Sequence, residues 1–376
     1  MSIVAGILLI AIVLLDAFET VVLPRRVTRS FRLTALFYRT TWRPWAALAR
    51  LISSPRRRES YLGYFGPLSL IVLLAFWAAG LIFGFALLQY GTGEHIALGH
   101  ERVGLGILLY HSASTFFTLG YGDVIPITGV ARALAALEAG LGFGFLALVI
   151  GYLPVIYSSF SRREVEISLL DARAGSPPSA MEFLSRVAER SNHQLLDQFF
   201  HEWERWAVEV LESHISYPVL SLFRSQHVNQ SWLGALTTIL DTSSLIIVGI
   251  DGIPSNQARL TFAMARHAVV DLAQVMRAKY NPNAPERLSP TDLATLRRTL
   301  LQKGMQLRDG VEADEKLIQL RLLYEPYAQA LATTLHITLP SWVSTVKVKD
   351  NWRSSPWDKL IEQKQAAPIS LTEDHF

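Results

Sequence analysis

Six consecutive residues, Thr118-Leu119-Gly120-Tyr121-Gly122-Asp123, alternate glycine with larger side chains. Glycine reaches left-handed backbone conformations without a Cβ penalty, and a strand that alternates in hand turns successive carbonyl oxygens to one side. The chemistry such a run offers is that of its backbone oxygens. Just before it, residues 104–117 form an apolar, aromatic stretch that suits a half-length helix and is too short to cross a bilayer. Non-helical backbone at membrane depth is tolerated only where it is buried in protein or lines a water-filled path. Other chemistries are poorly supplied. The chain has no Cys, which excludes a disulfide scaffold, a thiolate metal site and cysteine catalysis. His193, His201, His214, His227 and His267 are scattered without ligand spacing, and Glu202/Glu204 and Asp314/Glu315 read as solvated helix faces. No nucleophile-base arrangement or phosphate loop stands out, so no enzymatic function is expected.

The elements that would hold this run at membrane depth are legible. Residues 3–23 are apolar apart from Asp16 and Glu19 near the far end, residues 66–90 carry no charge, and residues 127–157 are interrupted only by Arg132 and Glu138. Each can cross a ~30 Å hydrocarbon core at about 1.5 Å per residue. The first has no basic n-region and no small-x-small site, so an uncleaved helix is expected rather than a signal peptide. Only 18% of residues are charged, against ~25% in soluble domains, and the mean hydropathy is +0.26. A membrane protein with a water-soluble appendage is therefore expected.

The charge balance is uneven: residues 1–163 carry 14 Arg, no Lys and 7 acids, whereas the remaining 213 carry 21 basic and 25 acidic side chains. Ten Arg (25, 26, 29, 32, 39, 43, 50, 56, 57, 58) lie between the first two apolar stretches against Glu59 alone. The positive-inside rule places that loop in the cytoplasm and the N-terminus outside. The thinly charged loop after the second stretch (Glu94, Glu101, Arg102, Asp123) and Arg162-Arg163 after the third agree. Phe31, Leu36, Phe37, Trp42, Trp45, Leu48 and Leu51 recur at helix-like spacing among the Arg, so the segment is expected in the headgroup layer with its Arg snorkelling. Arg26, Arg29 and Arg32 repeat every third residue, but in a polar stretch behind a single helix, which does not suit a voltage sensor.

With its two flanking spans, the hexapeptide resembles the signature of the potassium channel family, with Thr-Leu-Gly-Tyr-Gly-Asp in place of the commoner Thr-Val-Gly-Tyr-Gly-Asp. The resemblance covers roughly residues 66–160 and is of the bacterial-like, two-transmembrane pore-loop type, here with an extra N-terminal helix. It implies that the carbonyls of Thr118, Leu119, Gly120 and Tyr121, with the Thr118 hydroxyl, replace the hydration shell of K+, as in the potassium-channel filters from which that mechanism is known. Gly122 and Asp123 complete the filter. One loop per chain then implies a homotetramer in a lipid bilayer, with K+ as permeant ion and no cofactor or nucleic-acid partner. By the same resemblance Pro126 follows the filter, Arg132 takes a position that is often basic, Gly142 falls at the inner-helix hinge, and Pro154 sits where a kink is permitted. Ser114 departs from the pattern, because several relatives carry a bracing Glu there. Glu138, one turn before Gly142, is expected near Ser112, Ser114 and Thr115, either as a substitute brace or as a protonated acid that satisfies a backbone carbonyl.

Beyond Arg163 the pattern is helical throughout: 164–174, then a break at Gly175-Ser176-Pro177-Pro178, then 179–213 as a helix pair or one long helix, followed by 219–223, 232–250, 258–280, 292–308 and 313–336. Residues 232–250 carry one charge, Asp241, but five hydroxyls, which favours a buried soluble helix over a span. No Gly-x-Gly-x-x-Gly occurs, so the Rossmann-type regulator of many relatives is absent. The expected fold is an all-α membrane protein. Its parts are an N-terminal helix (1–24), an Arg-rich cytoplasmic linker (25–62), a pore module (63–160), an all-helical cytoplasmic domain (161–346) that gates the pore, and a loose tail (347–376). The expected place is the plasma membrane, multi-pass. A poorly selective cation channel and a non-conducting receptor or scaffold are the rival readings.

Overall fold

The computed structural model describes residues 1–23, 32–92, 96–97, 104–190, 194–227 and 229–343. Arg25, Arg26, Arg29, Phe31, Glu94, Glu101, Arg102, His193 and the expected tail lie outside the described residues. Among the described residues helices carry nearly all the architecture, beside an antiparallel pair of two-residue strands, β1 (Ile96–Ala97) with β2 (Ile125–Pro126), and an isolated bridge between Ile250 and Leu307. Two units form: Met1–Phe160 with Ile215–Phe223, and Ser161–His214 with the chain from Arg224 onward.

In the first unit, α1 (Ser2–Ala17) runs through a π-helical turn, Phe18–Val22, to make a 21-residue apolar segment. It packs along α3 (Pro55–Thr92) through glycines on both helices. A Cβ on Gly6 would stand 2.7 Å from the Gly84 carbonyl oxygen, and one on Gly84 would stand 2.6 Å from Ile10 Cγ1. Small residues allow this approach where lipid offers no hydrophobic drive to helix association. The polar end of α1 is explained by α2 (Leu33–Arg50). Asp16, fully buried, accepts from the Thr34 backbone N–H (3.0 Å), the Thr34 hydroxyl (2.5 Å) and Trp77 Nε1 on α3 (3.0 Å). A carboxylate there satisfies one free N–H group of the first turn of α2, that of Thr34, and meets the positive end of its dipole. Arg32 donates to Thr20 (3.3 Å) beside Glu19, so this arginine belongs to the junction of α1 and α2.

The aromatic residues of α2 are not all turned to the headgroup layer. Trp45 stacks on Tyr61 at 4.6 Å and Trp42 meets Phe65 edge-on at 4.9 Å, both on α3, whereas Leu36, Leu48 and Leu51 remain exposed. The helix α3 also begins earlier than the apolar run, at Pro55, because proline is well suited to the first turn and Arg56–Arg58 extend as solvated helix. Between α3 and the third long helix, α5 (Gly129–Ala174), stands the short α4 (Leu105–Phe116). α5 passes unbroken through Gly142 and Pro154, so 164–174 continues it rather than forming a separate helix.

The second unit is built around α8 (Trp232–Val248), preceded by α6 (Ala180–Arg190) and α7 (Gln194–Ser216), and followed by α9 (Asn256–Val275), α10 (Pro290–Gln302), α11 (Val311–Leu322) and α12 (Glu325–Leu335). Every residue of α8 is buried. Four of its five hydroxyls tolerate this because Thr237, Thr238, Thr242 and Ser244 each donate to a carbonyl one turn back. Asp241 is held by both guanidinium nitrogens of Arg287, at 2.6 and 3.0 Å, and by the Tyr324 hydroxyl at 2.5 Å. Arg287 also reaches Glu325 (3.1 Å) and the Pro340 carbonyl (2.7 Å). Burial works to lower the Arg287 pKa, but the Asp241 charge beside it carries the balance upward. The expected run 313–336 divides at Leu323-Tyr324, because Pro326 in the first turn of α12 has no N–H to continue a helix. Likewise 292–308 stops at Gln302, before Gly304 turns left-handed (φ 80°).

Candidate functional site: the pore loop

The run 118–123 begins from the way α4 ends. Phe117 caps the helix, Thr118 takes φ 56°, its N–H bonds the Thr115 carbonyl (3.1 Å), and the Leu119 N–H reaches back to the Ser114 carbonyl (2.8 Å). This is the Schellman pattern of hydrogen bonds, with threonine at the left-handed position usually given to glycine. Positive φ then recurs at Gly120 (62°) and Gly122 (77°), but not at Leu119 or Tyr121. The strand therefore alternates in hand along its length. Its residues are exposed, Tyr121 at 71%.

The far end is tied at several points. Tyr110 of α4 donates to Asp123 Oδ2 at 2.8 Å, and the other carboxylate oxygen accepts from the Val124 N–H (3.1 Å). The neighbouring His111 of α4 is buried. Beyond Val124, β2 pairs with β1, and Arg132 Nε donates to the Pro126 carbonyl (3.3 Å). Sequence reasoning missed Tyr110; thirteen residues before Asp123, it carried no signal beyond being a polar aromatic in an apolar helix.

Behind the strand, α5 approaches α4 as closely as backbones allow. A Cβ on Gly142 would stand 2.0 Å from the Phe116 carbonyl oxygen, so close packing by itself requires glycine here, whatever bending the helix also does. Glu138, fully buried one turn earlier, is hydrogen-bonded to the Ser112 hydroxyl, which also lies 2.7 Å from the Ile82 carbonyl of α3. Ser114 contributes its backbone carbonyl rather than a visible contact with Glu138, and no Thr115 bond to Glu138 occurs among the described residues. Ser112 has one proton and faces two acceptors, while a carbonyl can only accept. The arrangement is satisfied when Ser112 donates to Ile82 and a neutral Glu138 donates to Ser112. That state avoids a buried charge whose second oxygen has no hydrogen-bond partner. Glu138→Gln, which retains a donor, is accordingly expected to keep thermal stability near wild type. Glu138→Ala should lose about 1–3 kcal/mol at this node. Melting curves that do not separate the two variants would contradict the assignment.

No group of three or more His, Asp or Glu side chains is placed to hold a metal among the described residues. What the site offers an ion is backbone oxygen. Residues 71–158, from α3 to α5, match the ion channel family. The chain is an all-α, multi-pass membrane protein whose segment 71–158 is similar to ion channels. A protein of Rhodopseudomonas palustris named "Putative potassium channel protein" is 33% identical over 93 residues, which span 24% of this chain and 23% of that protein's length. No solved structure matches significantly. The matched residues lie in the first unit and include α4, the run 118–123, Glu138, Gly142 and Pro154.

Proposed function

We propose that four copies of this chain form a potassium-selective channel that conducts K+ passively, with the helical unit acting on its gate. The observation that carries the reading is the alternation of backbone hand at Thr118, Gly120 and Gly122, at the end of a half-length helix set between two spans. Carbonyls of Thr118, Leu119, Gly120 and Tyr121 are the proposed K+ ligands, repeated around a fourfold axis. The exposed Leu119 and Tyr121 and the exposed apolar residues Phe143, Leu146 and Ile150 of α5 support assembly with further copies in a bilayer, since such side chains are costly in water. The cytoplasmic side is assigned to the Arg-rich α2 and the start of α3, which puts the N-terminus outside and the helical unit in the cytoplasm of a plasma membrane. Purified protein in liposomes is the test: a K+ gradient should drive uptake of a K+ tracer, and vesicles no leakier than protein-free controls would overturn the reading.

A further inference from the structure

The segment Ile215–Phe223 lies in the sequence between α7 and α8 of the helical unit, yet it belongs to the channel unit. Its 3-10 turn, Pro218–Leu222, and the following Phe223 put Val219, Leu220 and Phe223 into one buried cluster with Leu70 of α3 and Tyr152 and Ile156 of α5. Tyr217 packs edge-on to Tyr152 at 5.8 Å, and the Phe223 ring meets Tyr157 at 6.0 Å and Phe160 at 5.6 Å. On α3 the fit depends on a missing side chain: a Cβ on Gly66 would stand 2.7 Å from Phe223 Cδ2. The segment therefore occupies the space between α3 and α5 at the level of Pro154 and beyond, whereas nearer the pore helix Phe145, Val149 and Leu153 of α5 meet the α3 cluster of Leu73, Leu74 and Trp77 directly.

Both ends of the segment are fastened inside the other unit. His214, just before it, is buried; its Nδ1–H donates to the Val210 carbonyl (2.8 Å), which leaves Nε2 to accept from Arg163 (3.2 Å), itself paired with Glu164 at 2.9 Å. Burial, then the Arg163 charge, push the imidazole well below its ordinary range, so it stays in the neutral form this pattern needs. Arg224, just after the segment, donates to the carbonyls of Leu335 (2.5 Å) and His336 (3.2 Å). A stretch anchored at both ends in one unit and packed at its middle into the other is a strut.

We infer that Tyr217–Phe223 is the coupling element by which the helical unit holds the channel shut. In the proposed channel α5 is the inner helix and α3 the outer one, so the space between them is where the end of α5 must go when the pore widens. Filled by Val219, Leu220 and Phe223, that space is closed to it. A rearrangement in the helical unit that draws the strut out frees α5, and one that leaves it seated does not.

The inference rests on the channel reading, and the experiment separates the two. Full-length wild type, Phe223→Ala and Gly66→Ala are recorded as single channels in planar bilayers. Phe223→Ala empties the space; Gly66→Ala instead forces the ring away, and serves if the first variant does not assemble. Open probability should rise about fivefold or more in both, with unitary conductance, selectivity and the melting of the helical unit unchanged. A silent wild type would remove the channel reading and this inference with it. Conducting wild type with variants of equal open probability, or variants whose conductance and selectivity change as well, would overturn the coupling role alone.

Discussion

Protein carrying Gly122→Ala is expected to assemble and insert but to lose potassium-selective flux. The position is at φ 77°, and a Cβ added there would meet open space rather than a clash. The penalty is therefore conformational: an L-residue pays about 1–2 kcal/mol to hold a left-handed backbone. Relaxation to negative φ rotates the peptide and takes a carbonyl out of the row, in all four subunits of the proposed tetramer. Thr118 endures a similar φ of 56° because the end of α4 clamps it with two hydrogen bonds, from its own N–H and from that of Leu119. Among the described residues no backbone hydrogen bond clamps Gly122 in this way, and Asp123 is held through its side chain. Tracer flux of K+ and Na+ through liposomes containing the variant is the check, and a mutant as selective as wild type would remove the filter assignment.

Arg287→Ala should have the largest effect on the helical unit. Its guanidinium, 7% exposed, bridges Asp241 on the central helix, Glu325 at the start of α12 and the Pro340 carbonyl. Removing one partner of a buried ion pair leaves the other charge uncompensated, at a cost of about 3–5 kcal/mol. For a unit of this size the melting temperature should drop on the order of 10 °C, read from the fluorescence of the buried Trp232 and Trp342. Replacing both partners with apolar residues, Arg287→Met with Asp241→Leu, should recover part of the loss, because the stranded charge is then gone. A single variant melting within a degree of wild type would show that the network is not what holds α8, α12 and the 340–343 segment together.

The parts that were legible in the sequence are those whose physics is local or compositional. Spans follow from length and apolarity, and the pore strand follows from glycine spacing, since its chemistry resides in the backbone. Glu138 was legible as an acid too costly to face lipid, but not the Ser112 hydroxyl's second contact with Ile82, which needs α3 and α4 side by side. Asp16 was similarly conspicuous, while its partners Thr34 and Trp77 lie 18 and 61 residues away. The assignment of Ile215–Phe223 to the first unit was not legible. A five-residue 3-10 turn has no periodicity to read, and its partners on α3 stand about 150 residues earlier, so the sequence boundary at residue 161 took it for part of the helical domain. One consequence is that a chain ended after Arg163 retains the pore strand but uncovers Leu70, Tyr152 and Ile156.

Selection of potassium by Thr118–Asp123 is tested most directly by the reversal potential of the purified wild-type protein in a planar bilayer, with K+ on one side and Na+ at equal concentration on the other. Currents are expected to reverse far toward the potassium equilibrium potential, at a permeability ratio of more than about tenfold. Robust currents that reverse near zero would contradict a potassium-selective filter at these residues.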